Sequence, residues 1–379
     1  RFGMSIIKVA IIGQGFVGTA LKEAFAKYHD INTYDKFNQA KSTHSSITEA
    51  SREAGVTFVC VPTPMTPSGS CDTSIVESVC KEIDSDPIIV IKSTVEPGTC
   101  LKIALENNQR VVFNPEFLLE RNATEDFKNT SRVILGGAPS CTKIMKQFYL
   151  KVFPEASIIQ TDSMTAEFVK YITNCFLATK VSLANEFAAL CSFYGVDYAS
   201  VIKHATQDDR LGKTHWNVSG PDGKLGFGGS CFPKDVMALQ SVARGVGIKP
   251  DILDAVLSVN HNQPFEVVRL LKKAFGDLSG KNILILGLSF KPHTDDIRES
   301  VSLKILNKLL NTKQQKEILK DHGVQPIESS RPKFINQIVF LFPALALLGS
   351  FLFSTYLITT KDYSDWVYLS GLMGIILSL

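Results

Sequence analysis

The stretch Ile6-Ile7-Lys8-Val9-Ala10-Ile11-Ile12-Gly13-Gln14-Gly15-Phe16-Val17-Gly18 decides the fold of the first part of this 379-residue chain. The residues before Gly13 are rich in β-branched side chains and predict a buried parallel strand. The glycines follow at once, and residues 19–28 then have the apolar spacing of a helix. Strand, glycine turn and helix in this order are typical of a dinucleotide-binding unit.

An acidic residue further along supports this interpretation. Asp35 follows a second predicted strand, Ile31–Tyr34, about 20 residues beyond the glycines, where a carboxylate bonds the ribose hydroxyls of a dinucleotide. Gly13 permits the tight turn, and Gly15 lets a pyrophosphate approach the helix N-terminus, whose dipole favours anions. Asp35 repels the 2′-phosphate of NADP, so NAD is the expected cofactor, although Lys36 beside it leaves NADP open.

Polar residues follow the next strands of the predicted sheet. These strands are expected at residues 56–61, 88–91 and 111–113. Because ligands of open parallel sheets bind beyond the carboxyl ends of the strands, we expect Thr63, Thr94 and Glu116 at one crevice. Each of these residues alone is uninformative, because polar residues are common in the loops that follow strands. Only their repetition at successive strand ends favours a ligand-binding site.

A long helix is predicted over residues 166–193, with capping residues at 162–163 and a stop at Gly195. Lys170 and Asn174 are four residues apart, so they share one face of this helix. A lysine presented in this way can neutralise an oxyanion. The alternative is a surface lysine whose charged end reaches solvent.

The nonapeptide Phe227-Gly228-Gly229-Ser230-Cys231-Phe232-Pro233-Lys234-Asp235 places a cysteine in a glycine-rich turn, with a lysine and an aspartate close behind. Glycines let backbone amides approach a ligand, and a cationic setting favours the thiolate. Cys231 is therefore a candidate nucleophile. A structural cysteine in a turn is the alternative that this stretch leaves open.

Composition narrows the function classes. The net charge of +3 gives no basic surplus for nucleic acid. The eight cysteines include no C-x-x-C pair, so neither a zinc site nor a redox dithiol is indicated, and no metal is predicted. Scattered cysteines and the lack of a secretory signal favour a cytoplasmic enzyme.

Taken together, the motifs resemble the nucleotide-sugar 6-dehydrogenase family, the UDP-glucose and GDP-mannose dehydrogenases. The resemblance covers roughly residues 5–311. The matching motifs, in chain order, are Gly13-x-Gly15-x-x-Gly18, Val61-Pro62-Thr63-Pro64, Lys92-Ser93-Thr94-Val95, Asn114-Pro115-Glu116-Phe117-Leu118-Leu119-Glu120, Ala166-Glu167-x-x-Lys170-Tyr171-x-x-Asn174, Asp209-Arg210-x-Gly212, the cysteine nonapeptide, and Gly287-Leu288-Ser289-Phe290-Lys291-Pro292 with Arg298.

The resemblance implies an NAD-dependent four-electron oxidation of a sugar C6 hydroxyl to a carboxylate, through a cysteine thiohemiacetal and thioester. It assigns catalysis to Cys231 as nucleophile, Lys170 and Asn174 at the oxyanion, Thr94 and Asp235 at the water, and Glu116 and Glu120 near C6. It assigns cofactor binding to Gly13, Gly15, Phe16, Val17, Gly18, Asp35, Lys36, Pro62, Thr63, Thr94, Glu120 and Arg298. It assigns substrate binding to Phe117, Leu118, Lys170, Asn174, Arg210 (from across a dimer interface), Phe227, Gly228, Gly229 and Lys291.

The expected fold is α/β in several parts. In order these are an N-terminal Rossmann doubly wound sheet (4–161), a central all-helical dimerisation domain (162–262), an incomplete second α/β domain that in the family holds the nucleotide of the sugar (263–311), a polar linker (312–333), and a hydrophobic tail with one full and one partial transmembrane-like segment (334–379). Such a tail would either anchor the enzyme to a membrane or be foreign sequence joined to a truncated enzyme, and the second is favoured.

Alternative functions stay open at this point. UDP-glucose is the favoured substrate, because residues 232–234 and 61–64 look more like the UDP-glucose enzymes, with GDP-mannose or another nucleotide sugar as the alternative. An inactive, membrane-tethered NAD-binding module would follow if the second nucleotide domain is incomplete. A 3-hydroxyacid dehydrogenase also combines a Rossmann domain with helices, but it needs no cysteine.

Overall fold

Short apolar runs form the strands of the first sheet. They are, in chain order, β1 (Lys8–Ile12), β2 (Asp30–Tyr34), β3 (Val56–Val59), β4 (Ile88–Ile91), β5 (Arg110–Phe113), β6 (Arg132–Gly137) and β7 (Ser157–Thr161). The sheet order is β2-β1-β3-β4-β5-β6-β7, and of its neighbouring pairs only β5 and β6 run antiparallel. The predicted strands all form, within two residues of their expected ends, and β6 and β7 are additional.

The computed structural model describes residues 6–84, 86–118, 122–221, 223–229, 231–278, 282–285, 300–310, 355–359, 366–369 and 374–378. These residues divide into two compact units. The first unit comprises residues 1–180 and 228–257, and the second comprises residues 181–227 and 258–379.

Helices cover both faces of the first sheet, as a doubly wound fold requires. They are α1 (Phe16–Phe25), α2 (Ile47–Ser51), α3 (Ser74–Glu82), α4 (Thr99–Asn107), α5 (Ala123–Lys128) and α6 (Pro139–Val152). Alternate residues of each strand enter different cores. Val9 and Ile11 pack with α1, α5 and α6, whereas Ile12 packs with α2, α3 and α4. The predicted Rossmann architecture is confirmed.

The residues from 163 to 262 that the structure describes contain helices, and no strand lies among them. The helices are α7 (Ser163–Tyr194), α8 (Tyr198–Ala205), α9 (Phe232–Gly245) and α10 (Asp251–Asn262). Asp162 caps α7 by accepting the N–H of Thr165 at 2.8 Å, and Gly195 follows its end with a positive φ of 70°. The long helix therefore has the predicted bounds within three residues.

The second unit continues with α11 (Glu266–Phe275), β8 (Asn282–Ile285) and α12 (Val301–Leu310). Val267 and Leu271 of α11 share a buried core with Ile305 and Leu309 of α12. The predicted strand and helix of this βα unit are both present.

The tail differs from its prediction where the structure describes it. It forms strands β9 (Thr355–Thr359), β10 (Trp366–Leu369) and β11 (Gly374–Ser378), which join β8 in the order β10-β11-β9-β8. Within the described ranges no helix is both long and apolar enough to cross a bilayer. The predicted transmembrane-like helix is wrong for these stretches, because aromatic and β-branched residues also suit strands. Residues 311–354, which hold the predicted linker and most of the first apolar run, lie outside the described residues.

Candidate active site

The glycine turn after β1 has the geometry of a dinucleotide-binding loop. Gly13 has a φ of +91°, and a Cβ there would lie 2.5 Å from the carbonyl oxygen of Cys60. A Cβ on Gly18 would overlap the carbonyl oxygen of Gly13, so Gly18 is needed for close packing of α1 on the turn. Around Gly15, by contrast, a Cβ would meet no atom of the described residues within 4 Å. Open space therefore faces the N-terminus of α1, where a pyrophosphate binds. Phe16 and Val17 begin α1 and are half-buried.

Asp35 lies beside this turn at the end of β2. Its Oδ2 accepts the N–H of Gln14 at 2.6 Å, and its Oδ1 accepts the N–H groups of Phe37 and Asn38. The carboxylate is thus fixed next to the glycine loop, in the place expected for a ribose partner. Lys36 is exposed. The lysine that contacts the loop is Lys41, whose Nζ donates to the carbonyl of Gln14 at 3.1 Å.

The ends of β3 and β4 meet through a buried cysteine. The Sγ of Cys71 donates to the carbonyl oxygen of Thr94 at 3.4 Å. Burial raises the pKa of the Cys71 thiol, and the nearby Thr63 side chain partly opposes this shift. Both threonines are 9% exposed, whereas Pro62 is exposed. The structure therefore brings Thr63 and Thr94 together at one edge of the sheet, whereas the sharing of one crevice by these threonines and Glu116 stays a prediction.

Glu116, after β5, pairs with Lys170 on α7. The Lys170 Nζ donates to Glu116 Oε1 at 3.1 Å and also to the Glu116 carbonyl oxygen. Lys170 is 3% exposed and Glu116 is 9% exposed. Glu116 Oε2 accepts the N–H of Leu118 at 2.8 Å, and Lys170 lies 5.3 Å from the ring centroid of Phe117. The alternative of a surface lysine is therefore wrong for Lys170.

Asn174, one turn further along α7, reaches the helix that follows the cysteine. Its Nδ2 donates to Asp235 Oδ2 at 2.6 Å, and Lys234 donates to Asp235 Oδ1 at 2.8 Å. Asp235 is 1% exposed, and its N–H donates to the carbonyl of Cys231 at 2.9 Å. Cys231 is the N-cap residue of α9. A hydrogen bond from Asn174 thus joins α7 to the first turn of α9, the helix that has Cys231 at its N-cap position.

Cys231 differs from several other cysteines in its exposure to solvent. Burial raises the pKa of Cys60, Cys80 and Cys175 to about 12, so their thiols stay protonated at neutral pH. Cys231 is only half-buried and stands at a helix N-terminus, whose dipole favours an anion. Because the thiolate is the nucleophilic form of cysteine, the position of Cys231 suits covalent chemistry.

A buried network behind Glu116 was not predicted. Lys92 donates to Asn114 Oδ1 at 3.0 Å, and the Tyr149 hydroxyl donates to the same oxygen at 2.5 Å. Burial lowers the pKa of Lys92 to about 8, although the carboxylate of Glu116 opposes this shift. These side chains line a cavity of about 230 Å³ together with Glu116, Phe117 and Leu118. Sequence offers little signal for this network, since Tyr149 is distant along the chain.

Glu167 is a second residue that sequence reasoning left without a role. It is fully buried on α7, and its carboxylate accepts the N–H groups of Gly98 at 2.6 Å and Cys100 at 2.9 Å. Burial raises the pKa of Glu167, and these N–H groups partly oppose the shift. The carboxylate holds the start of α4, and with it the segment that carries Thr94, against the helix that carries Lys170.

The remaining predicted residues fall into three sets. Gly228 and Gly229 are exposed, and a Cβ on either would meet no atom within 4 Å in the part of the chain that the structure describes. Arg210 and Phe227 belong to the second unit, where Arg210 is exposed and pairs with Asp208 at 2.5 Å. Three predicted residues lie outside the described residues: Glu120, Lys291 and Arg298.

These contacts define what the first unit can do chemically. An open glycine turn suits a dinucleotide. The Lys170 ammonium and the Asn174 side-chain amide lie on one face of α7, and each contacts a buried carboxylate. A cysteine at a helix start supplies a nucleophile. Hydride transfer coupled to thiol addition at a carbonyl carbon uses this set of groups.

Comparison with protein families gives three matches along the chain. The profile of the UDP-glucose/GDP-mannose dehydrogenase family, NAD binding domain, matches residues 35–153. The central domain of the same family matches residues 164–262, and its UDP binding domain matches residues 284–338.

Individual relatives agree with these matches. A UDP-glucose 6-dehydrogenase of Haloferax volcanii is 34% identical, over 80% of this chain and 81% of its own length. A UDP-glucose 6-dehydrogenase of Rickettsia bellii is 36% identical, over 82% of this chain and 72% of its own. The solved structure of a UDP-glucose dehydrogenase from Pyrobaculum islandicum superposes with a TM-score of 0.68 at 30% identity, covering 86% of this chain and 87% of that one.

Proposed function

This chain belongs to the UDP-glucose/GDP-mannose dehydrogenase family, and we propose that it oxidises the C6 hydroxyl of UDP-glucose to a carboxylate through a covalent intermediate on Cys231. The enzyme is an NAD-dependent oxidoreductase of nucleotide sugars. The proposal depends on two contacts of α7. Lys170 pairs with Glu116, and Asn174 donates a hydrogen bond to Asp235 in the first turn of α9, whose N-cap residue is Cys231.

NAD, held at the glycine turn by Gly15 and Asp35, would supply the hydride acceptor for both oxidations. In the first oxidation a carboxylate takes the proton of the C6 hydroxyl. Glu116, which follows β5 and contacts Lys170, is the candidate for this general base among the described residues. The Lys170 ammonium stabilises the oxygen as it becomes negative. Such a donor is worth about 10²–10³ in rate.

In the second stage the Cys231 thiolate attacks the aldehyde carbon and forms a carbon–sulfur bond, while the carbonyl electrons move to the oxygen. Lys170 and Asn174 stabilise that oxyanion. Loss of the second hydride converts the thiohemiacetal to a thioester. Water, held by Thr94 and Asp235, then adds to the thioester carbon, and the thiolate leaves, which restores Cys231. The products are one carboxylate and two NADH per sugar.

The N-terminal elements provide the cofactor end of the site. Gly15 leaves room for the pyrophosphate at the start of α1, and Asp35 offers a carboxylate to the ribose hydroxyls. The same carboxylate repels a 2′-phosphate. We therefore assign NAD rather than NADP, with Lys41 as an additional contact at the loop.

A homodimer through α7 is part of the proposal. This helix carries large apolar side chains that are exposed in the single chain, among them Ile172 at 58%, Phe176 at 63% and Leu190 at 53%. Positions 172, 176 and 190 lie on one face of a helix of this pitch. A contiguous apolar face of this kind marks an interaction site, and a second copy of α7 would cover it.

The test is the ratio of NADH released to UDP-glucose consumed, with NAD in excess. The proposal predicts a ratio of two, and Cys231→Ser should release no more than one NADH per sugar. A ratio of one with the unaltered chain would contradict the thioester route. GDP-mannose, assayed in parallel, decides the substrate, since the proposal expects UDP-glucose to have the higher kcat/KM.

A further inference from the structure

A buried lysine lies beside the loop that carries Glu116. Lys92 follows β4 and is 4% exposed, and its Nζ donates to Asn114 Oδ1 at 3.0 Å. Asn114 is the first residue after β5 and precedes Glu116 by two residues. Lys92 and Glu116 also line the same cavity of about 230 Å³. Lys92 can therefore act on Glu116 in two ways, through the side chain of Asn114 and across the cavity.

Asn114 is held by the two strands beside β5 and by Lys92. Its N–H donates to the carbonyl of Ile91 on β4 at 2.9 Å, and its Nδ2 donates to the carbonyl of Ile134 on β6 at 2.7 Å. Its Oδ1 accepts the hydrogen bond from Lys92. A buried amide whose donors and acceptors are all engaged rigidifies its surroundings. The backbone that leads to Glu116 therefore starts from a fixed residue, and Lys92 supplies one of the bonds that fix it.

Two buried lysines act on the Glu116 carboxylate. Lys170 contacts it directly, at 3.1 Å. Burial lowers the pKa of Lys92 to about 8, and the charge of the Glu116 carboxylate opposes this shift, so the two charges interact. An opposite charge nearby favours the ionised form of a carboxyl group, which is the form that accepts a proton. While Lys170 stabilises the oxygen of the sugar, Lys92 continues to balance the charge of Glu116.

We propose that Lys92 is a positioning residue for the general base Glu116. It fixes Asn114 at the start of the loop, and it supplies a second positive charge that keeps the Glu116 carboxylate ionised. This inference rests on the proposed function. Lys92 touches neither the sugar nor the cofactor in this assignment, and all of the residues involved belong to the first unit.

Lys92→Met and Tyr149→Phe separate the charge from the hydrogen bonding. Each variant removes one donor to Asn114 Oδ1, but only Lys92→Met removes a positive charge. The rate of the first hydride transfer is measured in single turnover in a Cys231→Ser background, where thioester formation does not follow. We expect a loss of about 10²-fold for Lys92→Met and of no more than about threefold for Tyr149→Phe. Equal losses for the two variants would overturn the proposal.

Lys92→Arg keeps the charge and changes its dependence on pH. Arginine stays protonated in proteins, whereas Lys92 loses its proton near pH 8, and the cavity beside it has room for the larger guanidinium. The rate of Lys92→Arg, divided by that of the same Cys231→Ser protein with Lys92, should rise about fivefold from pH 7 to pH 9, because the charged fraction of Lys92 falls about tenfold. A ratio that does not vary with pH would refute the proposal. The other titratable groups around Lys92 are common to both proteins, so their effects cancel in the ratio; they are Cys60, Glu116, Asp126, Arg132, Tyr149 and Lys170.

The interaction of the two charges is measurable without any sugar. Glu116→Gln removes the carboxylate that raises the pKa of Lys92, so Lys92 should titrate at a lower pH in this variant than in the unaltered protein. Carbon-13 NMR of the lysine Cε atoms follows the titration, and the Lys92 signal is assigned by its loss in Lys92→Arg. Identical titrations of Lys92 in the two proteins would contradict the proposal. A changed titration in a protein that fails to oxidise UDP-glucose would refute the proposed function alone.

Discussion

Replacing Lys170 with methionine separates its structural role from its catalytic role. Methionine keeps most of the side-chain volume but removes the ammonium that contacts Glu116. Among the hydrogen-bond donors of the described residues, the Glu116 carboxylate, 9% exposed, would then retain the N–H of Leu118. Removing one partner of a buried ion pair costs about 3–5 kcal/mol, because an uncompensated charge stays buried. We expect Lys170→Met to lose stability of this order in urea unfolding at pH 7.

A double variant tells the two roles apart. In Lys170→Met with Glu116→Gln, the buried charge is gone and the glutamine oxygen still accepts the N–H of Leu118. Most of the lost free energy of unfolding should therefore return. Turnover should not return, because no cation faces the oxyanion, and the loss should be at least about 10²-fold in kcat. A stable double variant with kcat near that of the unaltered enzyme would refute catalysis by this pair.

Three further outcomes follow from other parts of the molecule. Gly18→Ala should weaken NAD binding by at least about tenfold in calorimetry, because its Cβ overlaps the Gly13 carbonyl, and unchanged affinity would contradict the loop assignment. His29 is buried against Phe148, and burial, aided by the charge of Lys151, lowers the pKa of His29 from 6.5 to about 4. Between these pH values the unfolded chain binds more protons than the folded one, so the free energy of unfolding falls as the pH drops from 6.5 to 4. His29→Phe should remove up to about 3 kcal/mol of this loss in urea titrations at both pH values, and an unaltered pH dependence would count against the buried neutral histidine. Phe176→Glu should halve the mass measured by light scattering, whereas a monomeric unaltered protein would exclude the α7 dimer.

Local sequence signals were sufficient for much of the site. The β1 strand, its glycines and Asp35 lie close together along the chain, so periodicity and spacing identified them. Lys170 and Asn174 share a helix face because they are one turn apart, and the structure places both against carboxylates. The strand ends were predictable because parallel strands share one carboxyl edge.

Other features depend on contacts that sequence spacing does not encode. The Lys92 network needs Tyr149 from α6, so it joins residues far apart in the chain. The antiparallel β6 could not be foreseen, because a strand's direction is set by its connection and not by its composition. In the tail, apolar runs were interpreted as helices, whereas the described parts form strands, of which β9 pairs with β8 and β11 pairs with β9.

The covalent route is tested most directly by the mass of the Cys231 peptide during turnover. Asp235→Asn should slow hydrolysis of the thioester, since it removes the carboxylate that holds the water. With UDP-glucose and NAD, rapid acid quench and peptide mass spectrometry should then find the nucleotide-sugar acyl group on Cys231, at close to one per chain. Two NADH released per sugar with an unmodified Cys231, or with the acyl group on another residue, would contradict the account.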